Sequence, residues 1–189
     1  MEVMEAIRTR RSIRSYKPDP VDNQSIQIVL EAARWAPSWK NTQCWRFIVV
    51  HNNGIKAALA DCLIGSIKGG LASKNPAAEA VRTAPVVIVA CAELGKSGYN
   101  GDKLATDKGE WYMFDVALAM QNFALAAHSL GLGTVHIGQF DAERTAGVLK
   151  LPENFCVVEM TPLGYPEQEP NIRPRKELAE IVFYEQYGQ

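Results

Sequence analysis

The order of apolar and polar residues predicts helices and strands that are mixed along the chain. Apolar residues recur at helical spacing over residues 26–33, after Asp22, a residue type that caps helices, and before Pro37, which stops the helix. Apolar runs predict buried strands at residues 45–50, 85–91, 133–137 and 155–163. Because no segment repeats and no low-complexity linker divides the chain, we predict one α+β or α/β domain over residues 1–189.

Two polar segments interrupt this pattern. Residues 65–75 and 93–109 are rich in Gly, Ser, Lys and Asp, which favour turns over regular structure. We predict that both are mobile surface loops and that either can serve as a lid.

The helix predicted over residues 111–130 is apolar on nearly all sides. It is about as long as a membrane span, but its apolar surface is interrupted on several sides by polar residues that would be costly in lipid, namely Asp115, Gln121, Asn122, His128 and Ser129. A small chain covers such a helix poorly by itself, so we predict that it lies at a subunit interface. A core helix of a monomer is the alternative. The small side chains that would let the two subunits approach closely at this helix are Ala117, Ala119, Ala124, Ala126 and Ala127.

Charge is balanced over the whole chain but not locally. The formal net charge is -1, with 47% apolar and 22% charged residues, which is typical of a globular protein and argues against a nucleic-acid binder. Residues 8–17 nevertheless contain four arginines and a lysine without an acid, and residues 173–176 contain two arginines and a lysine. Such clusters favour a phosphate-bearing ligand. A solvated helix end and an RNA-binding surface are the alternatives for residues 8–17.

Cysteine and histidine do not indicate a metal site or a disulfide framework. The four cysteines, Cys44, Cys62, Cys91 and Cys156, lie far apart, and the chain has only three histidines. The first five residues include two acids where a signal peptide needs basic residues. We therefore expect a cytoplasmic protein with free thiols and no metal.

Two connecting segments have the composition of a ligand site. Residues 34–43 concentrate amide, hydroxyl and indole groups, and Asn41 and Gln43 can each present a donor and an acceptor to a heterocyclic ligand. In residues 131–141, Gly138 lets the backbone approach a flat ligand, and Asp141 can cap a following helix. No Gly-x-Gly-x-x-Gly opens a helix after a first strand, which argues against a Rossmann dinucleotide site.

Four short motifs resemble those of the FMN-dependent nitroreductase family. They occur in the family's order and span about residue 3 to residue 185. The motifs are Arg10-Arg11-Ser12-Ile13-Arg14; Ala36-Pro37-Ser38 with Asn41, Gln43 and Trp45; Gly131-Leu132-Gly133-Thr134 with Ile137-Gly138; and Leu163-Gly164-Tyr165-Pro166 with Arg173 and Arg175.

The resemblance implies a three-layer α+β fold, with a central mixed or antiparallel sheet between helices, and an intertwined homodimer with two FMN sites at its interface. Arg10, Arg11 and Ser12 would hold the phosphate and ribityl chain, and Arg14 the pyrimidine edge. The partner chain would contribute the loop at Asn41. The cofactor-binding residues implied are Arg10, Arg11, Ser12, Arg14, Pro37, Ser38, Trp39, Asn41, His136, Ile137, Gly138, Arg173 and Arg175, with backbone amides of the segment at residues 137 and 138 facing the flavin N5 and O4 edge.

The activity implied is electron transfer from NADH or NADPH through FMN to a flat acceptor such as a nitroaromatic compound or a quinone, in a ping-pong cycle. No side chain is expected to act as a catalytic acid, base or nucleophile. A related flavoprotein that removes halogen or processes flavin is one alternative, and a non-catalytic protein that binds flavin or another phosphate ligand is another.

Overall fold

A computed structural model describes residues 1–65, 67–68, 71–73, 75–168 and 170–188. Its helices are α1 (Val3–Thr9), α2 (Asn23–Arg34), α3 (Asn53–Ala60), α4 (Ala78–Thr83), α5 (Tyr112–Ser129) and α6 (Ala142–Leu149), with short 3-10 turns at Trp39–Asn41 and Leu178–Glu180. Its strands are β1 (Trp45–Val50), β2 (Ile67–Lys68), β3 (Leu71–Ala72), β4 (Val86–Glu93), β5 (Tyr99–Asn100), β6 (Lys103–Leu104), β7 (Gly133–Thr134) and β8 (Phe155–Gly164).

The central sheet contains four strands in the order β1, β4, β8, β7, and every neighbouring pair is antiparallel. Alternate residues of β4 point into two separate apolar clusters, so that Ile88 packs with α2 and α5 and Val89 packs with α3, α4 and α6. The sheet is therefore covered by helices on both faces, which confirms the predicted three-layer α+β fold.

The predicted helix caps are present. The Asp22 carboxylate accepts a hydrogen bond from the Ser25 amide at 2.8 Å at the start of α2. The Asp141 carboxylate does the same for Arg144 at 2.9 Å at the start of α6. Each carboxylate satisfies an amide that has no partner within its own helix.

The strand predicted over residues 133–137 is shorter than expected. Regular pairing with β8 ends at Thr134, and Ile137 pairs again with Met160 as an isolated bridge. In this register Val135 lies opposite Pro162, which has no amide hydrogen to donate, so the ladder is interrupted. The Val135 amide instead donates to Thr161 Oγ1 at 3.2 Å.

Much of helix α5 is covered by its own chain. Ala119, Ala124 and Ala127 are buried, and α2 and the sheet pack on this part of the helix. The prediction that these three alanines lie at a subunit interface is therefore wrong, and the alternative of a core helix holds for this side. A strip that includes Met113 and Phe114 stays exposed. None of the described helices is both long and apolar enough to cross a membrane.

The two segments predicted as loops each contain a short hairpin, β2–β3 in the first and β5–β6 in the second. Within the first segment, residues 66, 69, 70 and 74 lie outside the described part of the chain. The second hairpin is attached to the 3-10 turn at Trp39–Asn41. Trp39 Nε1 donates to the Tyr99 carbonyl at 3.3 Å, and Lys40 Nζ donates to Asn100 Oδ1.

Helix α1 buries only Ala6. Its apolar stripe faces outward, with the side chains of Val3, Met4 and Ile7 69%, 55% and 48% exposed. An apolar stripe of this kind is typical of a surface that packs against another molecule.

Candidate functional site

The two basic segments of the sequence lie together on one side of the molecule. They line a cavity of about 970 Å³, here termed the basic cavity. No acidic side chain is among the described residues that line it. Its arginines are Arg8, Arg10, Arg11, Arg14, Arg173 and Arg175. Because residues from both ends of the chain converge, a solvated helix end does not account for the cluster, whereas a phosphate-bearing anion would neutralise it.

Arg10 is partly buried at the basic cavity. Burial lowers the pKa of its guanidinium, and the positive charges of Arg11 and Arg175 lower this pKa further. Its Nη1 atom is buried, and no described residue accepts a hydrogen bond from it. Buried donors almost always have an acceptor, so this atom indicates the position of an anionic ligand.

Hydrogen bonds to two neighbouring segments fix the backbone that leaves α1. The Ile13 amide donates to the Thr134 carbonyl at 2.9 Å, and the Lys17 amide donates to the Tyr165 carbonyl at 2.9 Å. Gly133 makes this approach possible, because a Cβ atom there would lie 2.7 Å from Ile13 Cγ1. Residues 12–17 therefore lie against the edge of the sheet.

Arg11 also closes the end of α1. Its Nη1 atom donates to the Arg8 carbonyl at 2.7 Å and to the Arg10 carbonyl at 2.9 Å. Carbonyls at a helix C-terminus have no partner within the helix, so this contact satisfies them and holds the guanidinium at the basic cavity.

The loop at residues 38–43 has an unusual backbone. Lys40, Asn41 and Gln43 have φ values of 45°, 57° and 47°, in the left-handed region that residues with a side chain rarely adopt. Inside the loop, the Gln43 amide donates to Ser38 Oγ at 3.0 Å. Outside it, the Trp39 amide donates to Asp115 Oδ1 at 3.0 Å. Asn41 and Gln43 are exposed, so a ligand can reach their side-chain amide groups.

The end of α1, next to the basic cavity, and the 38–43 loop contact opposite ends of α5. Thr9 Oγ1 lies 2.8 Å from His128 Nε2 near the C-terminal end, whereas Trp39 contacts Asp115 at the N-terminal end. At about 1.5 Å of rise per residue, these contacts are roughly 20 Å apart along the helix axis. Within one chain the structure brings together Arg10, Arg11, Ser12, Arg14, Arg173 and Arg175, and it leaves Pro37, Ser38, Trp39 and Asn41 apart from them.

The segment 136–138 follows Thr134, which pairs with Ser12. Ile137 exchanges both backbone hydrogen bonds with Met160, at 3.0 and 3.1 Å. Its amide is therefore occupied, and the expectation that it would face a ligand is wrong. His136 Nδ1 lies 2.9 Å from Glu159 Oε1. Gly138 is exposed, with open space where a Cβ would stand, so its amide remains a candidate ligand contact.

Comparison with known proteins identifies the family. The model of the Nitroreductase family matches residues 7–165. The chain belongs to the nitroreductase family. The resemblance found in the sequence is thus confirmed, while residues 170–175, which complete the basic cavity of this nitroreductase-family protein, lie outside the matched range.

Individual relatives cover nearly the whole chain. A protein of Methanothermobacter thermautotrophicus, named as a candidate NADH dehydrogenase/NAD(P)H nitroreductase, is 36% identical over 177 residues, or 92% of this chain and 82% of the relative. The crystal structure of a nitroreductase family protein from Clostridium novyi NT has a TM-score of 0.76 and 31% identity, and covers 100% of this chain and 96% of its own. A candidate nitroreductase from Desulfovibrio desulfuricans, in complex with FMN, has a TM-score of 0.77 and 29% identity, and covers 99% and 98%.

Asp115 was named in the sequence only as an argument against a membrane span, and no role near these sites was predicted for it. It is 2% exposed and accepts hydrogen bonds from Trp39 and Ser97. An acid in the first turn of an otherwise apolar helix was visible in the sequence, but it indicates only a favourable interaction with the helix dipole. Its contacts with residues far away in the chain could be found only in the folded structure.

Proposed function

We propose that this nitroreductase-family protein is an FMN-dependent oxidoreductase that takes electrons from NADH or NADPH and passes them to a flat acceptor such as a nitroaromatic compound or a quinone. The observation that carries the proposal is the basic cavity. Arginines from both ends of the chain converge there without a described acid, and FMN ends in a phosphate. The FMN complex of the Desulfovibrio desulfuricans relative supports this choice of cofactor.

The residues of the basic cavity fit the polar end of FMN. Arg10, Arg11 and Ser12 bind the phosphate and ribityl chain, with Arg173 and Arg175 closing the clamp. The buried Arg10 Nη1, which lacks a described acceptor, donates to a phosphate oxygen. Arg14 lies at the exposed edge of the same cavity and faces the pyrimidine edge of the flavin.

A second subunit completes the site. The 38–43 loop, with Pro37, Ser38, Trp39 and Asn41, lies at the far end of α5 from the basic cavity, so the loop of one subunit faces the cavity of its partner. Exposed apolar side chains support this homodimer. They include the α1 stripe, Met113 and Phe114 of α5, and Leu178, Ile181, Tyr184 and Tyr187 of the C-terminal segment.

When bound, FMN supplies the two-electron chemistry, and the protein binds and orients it. In the proposed ping-pong cycle, donor and acceptor would occupy the same site in turn. Arg14 stabilises negative charge at the pyrimidine edge. The Gly138 amide orients the opposite edge of the ring system. His136 is held by Glu159, and we assign it no role in proton transfer.

The proposal is tested on the purified protein. We expect a yellow solution with flavin absorption bands, bleached by NADH or NADPH without oxygen and restored by a quinone or a nitroaromatic compound. Initial rates with both substrates varied should give parallel double-reciprocal lines. Tight flavin retention without bleaching would instead identify a binding protein, and a colourless protein that FMN does not convert to a yellow form would contradict the proposal.

The shared site has its own test in mixed dimers. Arg175→Ala damages the cavity and Asn41→Ala damages the loop, so each homodimer has two impaired sites. A mixed dimer of the two variants contains one site with both changes and one with neither. Purified mixed dimers should have about half the wild-type activity, and an equimolar mixture after full subunit exchange, in which about half of the dimers are mixed, should have about a quarter. No recovery in dimers shown to be mixed would contradict a site built from two chains.

A further inference from the structure

The carboxylate of Asp115 joins three segments of the chain that are distant in sequence. Its Oδ1 atom accepts a hydrogen bond from the Trp39 amide at 3.0 Å. Its Oδ2 atom accepts one from Ser97 Oγ at 2.6 Å, and the Cys44 thiol lies 3.7 Å from the same oxygen. Asp115 itself is 2% exposed, so these donors replace water around the carboxylate.

The donors around Asp115 are neutral. No described Lys, Arg or His forms an ion pair with this carboxylate. A buried carboxylate needs several hydrogen bonds to remain in an apolar interior, and the first turn of α5 adds the favourable end of the helix dipole. Burial and the neighbouring Asp115 carboxylate raise the pKa of Cys44 to about 12, so its thiol keeps its proton and remains a donor.

The 38–43 loop needs such an anchor because its backbone is strained. Left-handed conformations of residues other than glycine cost about 1–2 kcal/mol each, and this loop has three, at Lys40, Asn41 and Gln43. The hydrogen bond between Gln43 and Ser38 lies within the loop and moves with it. The Trp39 amide, by contrast, connects the loop to a buried residue of the core.

We propose that Asp115 is a positioning residue, which holds the 38–43 loop in the shape that contacts the flavin of the partner subunit. This inference rests on the proposed function for the identity of the ligand. Asp115 touches neither flavin nor substrate and acts through Trp39. Ser97, whose hydroxyl binds the second carboxylate oxygen, keeps the carboxylate in the orientation that faces Trp39.

Three variants test this assignment. Asp115→Ala removes the acceptor of the Trp39 amide, whereas Asp115→Asn keeps an oxygen that can occupy the Oδ1 position. Lys56→Met is the matched control, because Lys56 is also buried and polar, and its Nζ atom donates to the Ala84 carbonyl at 2.6 Å, away from the loop. Lys56→Met therefore shows how a general loss of stability affects the measurements when the 38–43 loop is unchanged.

The first measurement is titration of flavin-free protein with FMN, followed by flavin fluorescence well below the unfolding temperature. We expect the dissociation constant of Asp115→Ala to rise about 10-fold or more, because a flexible loop must be ordered on binding. Asp115→Asn should stay within about threefold of wild type, and so should Lys56→Met. Equal loss in the Ala and Asn variants, or in Ala and Lys56→Met, would overturn the assignment.

The second measurement does not depend on flavin. Trypsin cleavage after Lys40, identified by mass spectrometry in flavin-free protein, should be about 10-fold faster in Asp115→Ala than in wild type, since local opening exposes the loop. Lys56→Met should be cleaved there at the wild-type rate. If wild-type protein binds no FMN, the proposed function is wrong, while unchanged cleavage in Asp115→Ala would overturn the anchoring of the loop itself.

Discussion

Arg10 and Arg175 line the same basic cavity, although they lie near opposite ends of the chain. Burial lowers the pKa of the Arg10 guanidinium, and the positive charges of Arg11 and Arg175 lower it further. Without an anion, the folded protein therefore holds several cations in mutual repulsion. A bound phosphate converts this repulsion into attraction, which makes ligand affinity and ligand-free stability respond oppositely to the loss of an arginine.

Arg175→Ala should weaken FMN binding about 10-fold to 100-fold, because a charge-assisted contact to phosphate is lost. The ligand-free protein should unfold at the same temperature or slightly higher, since repulsion with Arg10 is removed. Flavin titration and thermal unfolding measure the two effects. Lys176→Ala is the control, because Lys176 is the next cation but is not among the residues that line the basic cavity. An equal loss of affinity in the control would contradict a specific clamp.

The pKa of His128 should change when a phosphate occupies the basic cavity. Burial lowers its pKa below the usual 6.5, and Arg10 and Arg11 lower it further, with a smaller opposing effect from Glu5. Because the folded pKa is lowered, the stability associated with this group is present above about pH 6.5 and is lost as the pH falls toward the folded pKa. A phosphate that neutralises the arginines should raise the pKa, as NMR titration of the imidazole with and without FMN can measure. An unchanged pKa in the FMN complex would place the phosphate elsewhere.

Gly133→Ala should destabilise the protein by about 1–3 kcal/mol, because the new Cβ atom overlaps a packed side chain. The clash is with Ile13, whose Cγ1 atom would lie 2.7 Å away, so residues 12–14 must move and FMN affinity should also fall. Urea unfolding measures the stability. Gly147→Ala in α6 is the matched change, since nothing lies within 4 Å of its added Cβ. It should stabilise the helix by about 0.5–1 kcal/mol, and similar effects of both changes would contradict this account.

Arg14→Ala should lower the flavin midpoint potential by about 20 mV, the size expected when a charge interaction of roughly 1 kcal/mol is lost in a two-electron couple. The expected fall follows because a nearby cation favours the reduced, more negative flavin. Equilibration with a reference dye measures the potential. Arg8→Ala removes another arginine of the same cavity and should change the potential less, so equal shifts would indicate a general effect of charge.

Local features of the fold could be predicted from the sequence because they depend on neighbouring residues. The caps at Asp22 and Asp141 and the long helix α5 follow from residue types and periodicity, and the structure confirms them. The interruption of the strand after Thr134 could not be predicted, because it depends on Pro162 standing opposite Val135 in a register that only the folded sheet defines.

The candidate site also has features that could be predicted from the sequence and features that could not. Convergence of Arg10 and Arg175 was expected from the family resemblance and from the need to neutralise like charges, and the structure brings them together. The hydrogen bond from the Ile137 amide to the Met160 carbonyl was not expected, since it follows from sheet pairing rather than from composition. Burial of Ala119 under the chain's own elements was missed because periodicity does not say which partner covers an apolar face.

The length of α5 has a consequence for how the protein responds to dilution. This helix separates the basic cavity from the 38–43 loop by roughly 20 Å. If the proposed two-chain site is correct, an isolated subunit would hold two incomplete halves and no whole site. Below the concentration at which the subunits of the proposed dimer dissociate, the total rate should therefore fall with the square of the protein concentration, and cells that make little of this chain would have less than proportional reductase activity.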